Sequence, residues 1–479
     1  MTFEELLHQY RDVYYSFPQS LKTFLGSVYG NIPLSIRFGK HFSIHQELLE
    51  QFENGSSQFQ LDFLYNKTLE TLLFAEQHIP YYKKAFQEHG VSSKDFKSLE
   101  DIKTLPSLHK HTVKTHIDTL YTDTIETPVA YYSGGSLSTP TKYFLPGSSR
   151  AKEKAYNNYI FSKIGYKYRD RALLSRGREV FQPHKNTFWE HEPVDNYFFL
   201  CSSYMNSDVF PLIYKKALKF RPKFFIGYPS ALLSFIKQSQ RYNLPAIDLQ
   251  GVIVASETLY PDELQTIQEF FNVNVLTHYG HTERNAIAYR INNGHYHFVS
   301  SYGLVRIVNE EIVTTSFDNF VMPFINYKTA DRATGSAKYY PNSDIVRSVA
   351  SIEGRTQDFL VTKDHRLISI TAMTSATTTS KQACLAADNI HAIQYIQSDI
   401  GKVTVLLEGE GINTKAITQE MNMLLQEAID FDIKVVERID KTSRGKRVIC
   451  KQTLDIESLR TQRLHEKNIR QPVENLMIT

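Results

Sequence analysis

The stretch Tyr279–Glu283, which reads Tyr-Gly-His-Thr-Glu, constrains the fold of this chain more than any other stretch. It follows an apolar, β-branched run over residues 271–276, which predicts a buried strand. Gly280 lets the backbone turn or approach a ligand closely, and Thr282 and Glu283 add a hydroxyl and a carboxylate at the strand exit. Open α/β sheets bind ligands at the carboxyl ends of their strands, and a carboxylate there can hold Mg2+ beside a nucleotide. The motif therefore predicts a nucleotide site, although a plain turn with a solvated Glu remains the simpler alternative.

Strand and helix patterns alternate in the residues that lead to this motif. Phe224–Gly227 predicts a strand, and Ser230 is the expected N-cap of the helix that follows. Val252–Ala255 predicts a second strand, and Pro261 opens a second helix. This alternation is typical of βαβ units and predicts a largely parallel sheet.

A loop rich in glycine and hydroxyl groups follows the predicted strand Val129–Tyr132. Residues 133–142 read Ser-Gly-Gly-Ser-Leu-Ser-Thr-Pro-Thr-Lys. Backbone N–H and hydroxyl groups at this density suit the binding of a polyphosphate. The Gly-Lys-Ser/Thr ending of a Walker A motif is missing, and a Gly/Ser surface loop is the alternative. The basic, aromatic stretch Tyr166–Arg169 is interpreted as a solvated edge.

The pattern changes after the central motif. Residues 304–316 predict a β-hairpin, and Gly354-Arg355 with the polar residues after it suits a hinge. Residues from about 356 read as a small α+β domain, with strands over 392–397, 403–408 and 433–438 and a helix over 414–429. Lys446 lies on a Gly-containing basic loop, where a lysine can swing into a distant site or simply be solvated.

Composition excludes several classes of protein. A formal net charge of +3 over 479 residues argues against a dedicated nucleic-acid binder. The three cysteines are widely spaced and form no disulfide framework, which fits a reducing compartment. The N-terminus lacks the pattern of a secretory signal, and no apolar run is long enough to span a bilayer. The sequence therefore predicts a cytoplasmic protein with neither a nucleic-acid partner nor a membrane span.

These stretches together resemble the adenylate-forming superfamily, and within it the phenylacetate–coenzyme A ligases and their relatives in capsule and surface-polysaccharide biosynthesis. The resemblance runs from about Ile79 to Leu454. It implies an α/β fold with a large N-terminal AMP-binding domain of mixed and parallel sheets over 1–355, in which 1–65 form a helical extension. It also implies a small, mobile C-terminal α+β lid domain over 356–479. The matching motifs are Ile79–Tyr82, Leu105–Lys110, Ser133–Lys142, Gly227–Ser230, Ala255–Glu257, Tyr279–Glu283, Asp331, Gly354–Arg355 and Gly445–Lys446.

The resemblance also assigns roles to individual residues. It implies that Lys446, Glu283 and Arg355 are catalytic, that Glu283 also assists Mg2+, and that Tyr228 and Ser256 contact the acid. Asp331 matches the aspartate that holds the ribose hydroxyls. The other residues that it implies bind ATP are Ser133, Gly134, Gly135, Ser136, Ser138, Thr139, Ala255, Ser256, Glu257, Tyr279, Gly280, His281 and Thr282.

The implied activity is ATP-dependent activation of a small carboxylic acid as an acyl-adenylate, followed by acyl transfer. The acceptor is coenzyme A, a carrier-protein phosphopantetheine, or a sugar amine or hydroxyl. Two other readings stay open, namely a nucleotidyl transferase that uses the same site and a decayed nucleotide-binding assembly partner. His365 stands where a glycine usually admits a thiol-bearing arm, which predicts weak coenzyme A ligation. The remaining departures from the family pattern are Leu137, Ser138, Asn326 for Arg, Ala330 for Gly, and Gln357.

Overall fold

The computed structural model describes residues 17–132, 141–175, 188–200, 208–355, 359–363, 367–369, 390–425, 428–440 and 448–454. The described residues divide into two compact units, the first ending at Glu353 and the second beginning at Gly354. The assignment of nucleotide binding to the first unit and of a mobile lid to the second stays a prediction.

Helices make up most of the first 120 described residues. The polar break over 54–57 separates two of these helices, and the Ser56 hydroxyl caps the second by accepting from the Phe59 N–H at 3.2 Å. Pro80 occupies the first turn of the next helix, where its missing N–H costs no hydrogen bond. The α-helices of the first unit are α1 (Gln19–Gly30), α2 (Leu34–Arg37), α3 (Lys40–Asn54), α4 (Ser57–His78), α5 (Pro80–His89), α6 (Lys110–Thr115), α7 (Ser149–Ser162), α8 (Phe210–Phe220), α9 (Pro229–Arg241) and α10 (Pro261–Phe271).

A twelve-stranded mixed sheet and a separate hairpin complete the first unit. The hairpin pairs β1 (Pro128–Tyr132) with β2 (Lys142–Pro146). The order across the large sheet is β11-β12-β13-β14-β10-β9-β8-β7-β6-β3-β5-β4. Its strands are β3 (Ala172–Ser175), β4 (Trp189–Glu192), β5 (Tyr197–Leu200), β6 (Phe224–Gly227), β7 (Gly251–Ala255), β8 (Asn274–Gly280), β9 (Ile287–Ile291), β10 (Tyr296–Phe298), β11 (Gly303–Val308), β12 (Glu311–Ser316), β13 (Tyr327–Tyr339) and β14 (Val346–Arg355).

A parallel block forms the middle of this sheet, as the alternating pattern predicted. Strands β5, β3, β6, β7 and β8 pair in parallel, and α9 and α10 connect consecutive strands of the block.

Two local predictions about the ends of these elements are wrong. Phe271 ends α10 rather than beginning β8, because Asn272 adopts a left-handed conformation that terminates the helix. Ser230 lies inside α9, which begins at Pro229 after the extended residue Tyr228.

The predicted hairpin over 304–316 is confirmed. Strands β11 and β12 pair antiparallel, with Val308 opposite Glu311. Asn309 and Glu310 join them, and their φ angles are 51° and 65°. Two consecutive positive φ values are the requirement of a type I′ turn, whose twist matches that of the strands it joins.

The second unit has its own sheet and core, as an α+β pattern predicts. Its four-stranded sheet has the order β19-β18-β17-β20, and Leu360, Tyr395 and Val405 are buried in its core. The predicted helix over 414–429 is confirmed over Thr414–Leu425, and residues 428 and 429 lie outside it. The elements are β15 (Phe359–Val361), β16 (Leu367–Ser369), β17 (Ile390–Asp399), β18 (Lys402–Gly409), α11 (Thr414–Leu425), β19 (Asp430–Val436) and β20 (Cys450–Gln452).

No helix within the described ranges combines the length and the apolarity that crossing a bilayer would require.

Candidate active site

The carboxyl ends of three neighbouring parallel strands meet at one edge of the large sheet. Gly227 ends β6, Ala255 ends β7 and Gly280 ends β8. A Cβ atom on Gly227 would lie 2.5 Å from the Ser175 carbonyl oxygen at the end of β3, so only glycine fits this approach. The predicted strand exit is therefore one of a row of strand ends, which is where open α/β sheets bind ligands.

Two tyrosine–carboxylate hydrogen bonds join the central motif to β13. The Tyr279 hydroxyl donates to Asp331 Oδ2 at 2.8 Å, and the Tyr327 hydroxyl donates to Glu283 Oε1 at 3.2 Å. The central motif and β13 thus each supply one tyrosine and one carboxylate. Both carboxylates are buried, with residue exposures of 5% for Glu283 and 9% for Asp331. Buried carboxylates need such donors, because removing a charge from water without a partner costs several kcal/mol or more.

Several residues beside these groups adopt a positive φ, and Ser256 and Ala330 are two of them. Ser256, directly after β7, has a φ of 69°, and Ala330, directly before Asp331, has a φ of 64°. Residues with a Cβ atom rarely adopt this region, and each such residue costs on the order of 1–2 kcal/mol. The Ala330 N–H donates to Glu311 Oε1 at 3.0 Å, and the Asp331 N–H donates to the Thr329 hydroxyl at 3.1 Å. These bonds hold the turn that orients Asp331.

Two buried polar side chains in or just after the motif have no hydrogen-bond partner in the part of the chain that the structure describes. They are His281, at both ring nitrogens, and Asn285, at both amide atoms. His281 Nδ1 lies 3.4 Å from Glu283 Oε2. Asn285 is completely buried, and its backbone carbonyl oxygen would lie 2.0 Å from a Cβ atom on Gly303. Unpaired buried polar atoms are uncommon in native proteins, so these two side chains are candidates for ligand contacts.

Arg284 extends the motif by one charged residue that the sequence analysis did not single out. Its Nη1 donates to the Ser149 hydroxyl at 2.8 Å, and its Nε lies 3.7 Å from Glu153 Oε2. The guanidinium also lies 5.2 Å from the centre of the Tyr131 ring, on β1. Burial acts to lower the pKa of Arg284, but Glu153 and neighbouring tyrosines outweigh it and raise the pKa above its ordinary value. A permanent cation therefore stands beside Glu283.

A cavity of about 510 Å³ opens at the row of strand ends. Ser256, His281 and Thr282 line it at that edge. The wall opposite the sheet is formed by α7, through Arg150, Lys154 and other side chains. The volume lies in the range of small-molecule sites.

Tyr166, which was interpreted as part of a solvated edge, lines this cavity instead, and that interpretation is wrong. The residue is only 3% exposed. Its ring packs edge-on against Phe224 with 5.2 Å between centroids, and its hydroxyl lies 3.3 Å from that of Tyr197. The alternation of tyrosines with charged residues over Tyr166–Arg169 is typical of a half-buried segment, and it is the sequence signal that could have identified this wall.

The other predicted residues divide into those within and those outside the described part of the chain. Ala255, Gly280 and Thr282 line the cavity, Glu257 follows Ser256, and Tyr228 directly follows Gly227. Arg355 ends β14. The predictions that lie outside the described residues are Ser133, Gly134, Gly135, Ser136, Ser138, Thr139, Gln357, His365 and Lys446.

The site offers a metal few ligands of its own. No group of three or more His, Cys, Asp or Glu side chains among the described residues is placed to hold a metal ion. Mg2+ is usually held by one or two carboxylates together with substrate phosphates and water. A single buried carboxylate at Glu283 therefore fits an ion that arrives with a nucleotide.

The fold is that of the adenylate-forming ligases. The chain is similar to the solved structure of 2-hydroxyisobutyryl-CoA ligase in the postadenylation state with R3-HIB-AMP, with a TM-score of 0.64 and 12% identity over 87% of this chain and 94% of that one. It is also similar to the same ligase with 2-HIB-AMP and CoA in the thioesterification state, with a TM-score of 0.54 and 13% identity over 87% and 94% of the two chains. No family model matches the sequence, and no curated protein does. The fold that the resemblance implied is confirmed.

Proposed function

We propose that this protein uses ATP to activate a small carboxylic acid as an acyl-adenylate and then transfers the acyl group to a thiol, amine or hydroxyl acceptor. The observation that supports this most is the pair of buried carboxylates, Glu283 and Asp331, which accept hydrogen bonds from Tyr327 and Tyr279. The residues on either side of Glu283 in the chain, Thr282 and Arg284, line the cavity at the strand ends. The likeness of fold to a ligase solved with acyl-AMP supports the same activity.

The first half-reaction makes a mixed anhydride. An oxygen of the acid's carboxylate attacks the α-phosphorus of ATP, the bond from that phosphorus to the pyrophosphate oxygen breaks, and pyrophosphate leaves. Mg2+, when bound, offsets negative charge on the phosphates. Glu283 would hold it, Asp331 would accept hydrogen bonds from the ribose hydroxyls, and Arg284 would add a fixed cation beside the phosphates. The catalysis is positioning plus charge stabilisation.

The remaining proposed roles follow the resemblance. The loop from Ser133 to Thr139 would bind the phosphates, Ala255–Glu257 would lie along the adenine, and Lys446 and Arg355 would assist the adenylation step. In the second half-reaction the acceptor's sulfur, nitrogen or oxygen attacks the acyl carbon, AMP leaves, and the acceptor's proton passes to solvent. The branch we propose is that of the phenylacetate–coenzyme A ligases, with a role in surface-polysaccharide biosynthesis.

Acid-dependent exchange of labelled pyrophosphate into ATP tests the first half-reaction. We expect exchange in the wild type and a loss of about 100-fold or more in Glu283→Gln, because one charge-stabilising group is removed. Glu269→Gln, on the outer face of α10, is the matched control and should exchange normally. Lys446→Ala should lose exchange but still transfer the acyl group from preformed acyl-adenylate.

Pyrophosphate exchange and product analysis together separate the acid-activating ligase from the two alternatives. A wild-type protein that exchanges no pyrophosphate with any acid would be the assembly partner rather than the enzyme. Transfer of the AMP group to the acceptor, seen by product analysis, would instead identify a nucleotidyl transferase. Equal activity of Glu283→Gln and the wild type would remove Glu283 from the proposed mechanism.

A further inference from the structure

The cavity beside the strand ends is walled by ion pairs as well as by apolar side chains. Lys154 Nζ lies 2.9 Å from Asp195 Oδ1, and Arg284 Nε lies 3.7 Å from Glu153 Oε2. All four residues line the cavity. Building on the acid-activating function above, we propose that this cavity selects a hydroxylated carboxylic acid, with hydroxyl groups along the chain that extends away from the reacting carboxylate.

The charged groups remain accessible from the cavity. The side-chain exposures are 18% for Lys154, 29% for Asp195, 21% for Arg284 and 26% for Glu153. A ligand can therefore contact the donor and the acceptor of each pair. Two further polar groups also line the cavity, Asn157 on α7 and His278 on β8, with 3.0 Å between Asn157 Oδ1 and His278 Nε2.

The two ion pairs lie at different depths. Arg284 follows the motif at the carboxyl edge of the sheet, whereas Asp195 lies just before β5, which begins with Tyr197. Tyr197 and Phe224 both pair with Ala172 at the start of β3, while Gly227 at the strand ends pairs with Ser175. Three residues along a strand span about 10 Å. The cavity therefore offers polar contacts both near the reacting carboxylate and about 10 Å from it.

Neighbouring cations favour the ionised form of Asp195. Although burial acts to raise the pKa of Asp195, Lys154 and Arg37 outweigh it and hold the pKa below its ordinary value. Arg37 is only 2% exposed and donates to the Tyr168 hydroxyl, and Lys154 Nζ lies 4.5 Å from the centre of the Tyr168 ring. A ligand at this depth thus faces a carboxylate and cations side by side.

A hydroxyl group matches this environment better than the other substituents that an acid carries. A hydroxyl both donates and accepts, so it can bond to the carboxylate and to the cation of one pair. Arg37 and Arg150 also line the cavity, so an amine would be repelled by four cations. A second carboxylate would gain the cation of either ion pair only by displacing Asp195 or Glu153 from it. A hydrocarbon chain would remove both pairs from water and return no hydrogen bond, which is costly.

Four acids with the same six-carbon chain test the proposal, namely gluconate, hexanoate, adipate and 6-aminohexanoate. Each would be titrated calorimetrically into the full-length protein, with and without AMP. We expect gluconate to bind about tenfold or more tightly than each of the others, because polar groups built to bond a hydroxyl reject analogues that lack it. Tighter binding of any of the other three, or no binding of gluconate, overturns the proposal.

Variants of the deeper pair test its part in the selection. Lys154→Met should weaken gluconate binding about tenfold and leave hexanoate binding unchanged or improved. Lys215→Met, at an exposed position on α8, is the matched control. If Lys154→Met does not fold, Lys154→Met with Asp195→Asn removes both charges at similar volume and should show the same loss. Unaltered selectivity in a folded variant of the pair would argue against its role.

Pyrophosphate exchange with the same four acids separates this inference from the proposed function. Exchange that is best with hexanoate would leave acid activation standing and overturn the inference. Selective gluconate binding without any exchange would leave the inference standing and overturn acid activation.

Discussion

The Tyr327 hydroxyl donates a hydrogen bond to Glu283 Oε1 at 3.2 Å. The two residues are 44 positions apart, and the bond ties the segment after β8 to the first residue of β13. Tyr279 and Asp331 make the reciprocal bond between the same two segments. Each of the two predicted ligand-binding carboxylates is thus held by a tyrosine from the segment that carries the other carboxylate. Each tyrosine can be tested separately.

Removing the Tyr327 hydroxyl and removing the Tyr279 hydroxyl should affect the binding of two different ligands. We expect Tyr327→Phe to raise the Mg2+ concentration for half-maximal pyrophosphate exchange about five- to tenfold, because Glu283 loses one orienting hydrogen bond of roughly 1 kcal/mol. Tyr279→Phe should instead raise KM for ATP by a similar factor, through Asp331. Exchange rates measured against Mg2+ at saturating ATP, and against ATP at saturating Mg2+, check both. The same shift in both variants would show that the bonds support the fold rather than separate ligands.

Ala330 occupies a position that favours glycine. Its φ of 64° costs on the order of 1–2 kcal/mol for a residue with a Cβ atom. Glycine avoids this cost, but it loses more conformational entropy on folding, which costs about 0.5–1 kcal/mol. We therefore expect Ala330→Gly to be more stable than the wild type by about 0.5 kcal/mol, measured by urea unfolding. Ala333→Gly, in the same strand but outside the positive-φ positions, should be less stable. A destabilised Ala330→Gly would mean that the alanine methyl group makes contacts worth more than the strain.

Gly303 gives the segment after Glu283 room to pack. A Cβ atom there would lie 2.0 Å from the Asn285 carbonyl oxygen, so Gly303→Ala must displace the backbone two residues after Glu283. We expect a loss of about 1–3 kcal/mol in stability, typical of overpacking, and a lower rate of pyrophosphate exchange. Gly294→Ala meets its nearest backbone atom at 3.1 Å and is the milder control. Wild-type stability and exchange in Gly303→Ala would show that Asn285 moves without effect.

His45 should make the first unit acid-sensitive. Burial and the nearby Lys152 lower its pKa to about 4, while Asp318 acts in the opposite direction and His41 and Lys67 add to the lowering. The unfolded chain therefore binds a proton between about pH 6.5 and 4 that the folded chain does not, and stability falls as the pH drops through this range. The loss reaches at most about 3 kcal/mol.

Replacement of His45 should remove this part of the acid lability. His45→Phe keeps an aromatic ring beside Tyr156, and its free energy of unfolding relative to the wild type should rise from pH 7 to pH 4.5. Urea unfolding followed by the fluorescence of Trp189, the single tryptophan, reports on the unit that contains both residues. Exposed His111→Phe should show no such trend. A pH-independent difference for His45→Phe would contradict the lowered pKa.

Local patterns predicted the elements that depend on neighbours in the chain. The β11–β12 hairpin followed from turn residues between two alternating runs, and the parallel block followed from the alternation of strands and helices. The errors came where one residue decides an element's end. Asn272 stops α10 in a left-handed conformation, so Phe271 packs as a helical residue although its β propensity favours a strand.

Sequence by itself determined the fold class and the places along the chain where candidate site residues lie. Both follow from local properties, namely the apolar periodicity and the position of Tyr279–Glu283 at the end of a strand. Only the tertiary structure decided which side chains meet. Tyr327 reaches Glu283 across 44 residues, and Lys154 reaches Asp195 across 41. The physical reason is that a cavity wall is assembled from α7, the strand ends and the turn before β5, and a contact between distant segments depends on their packing rather than on any local pattern.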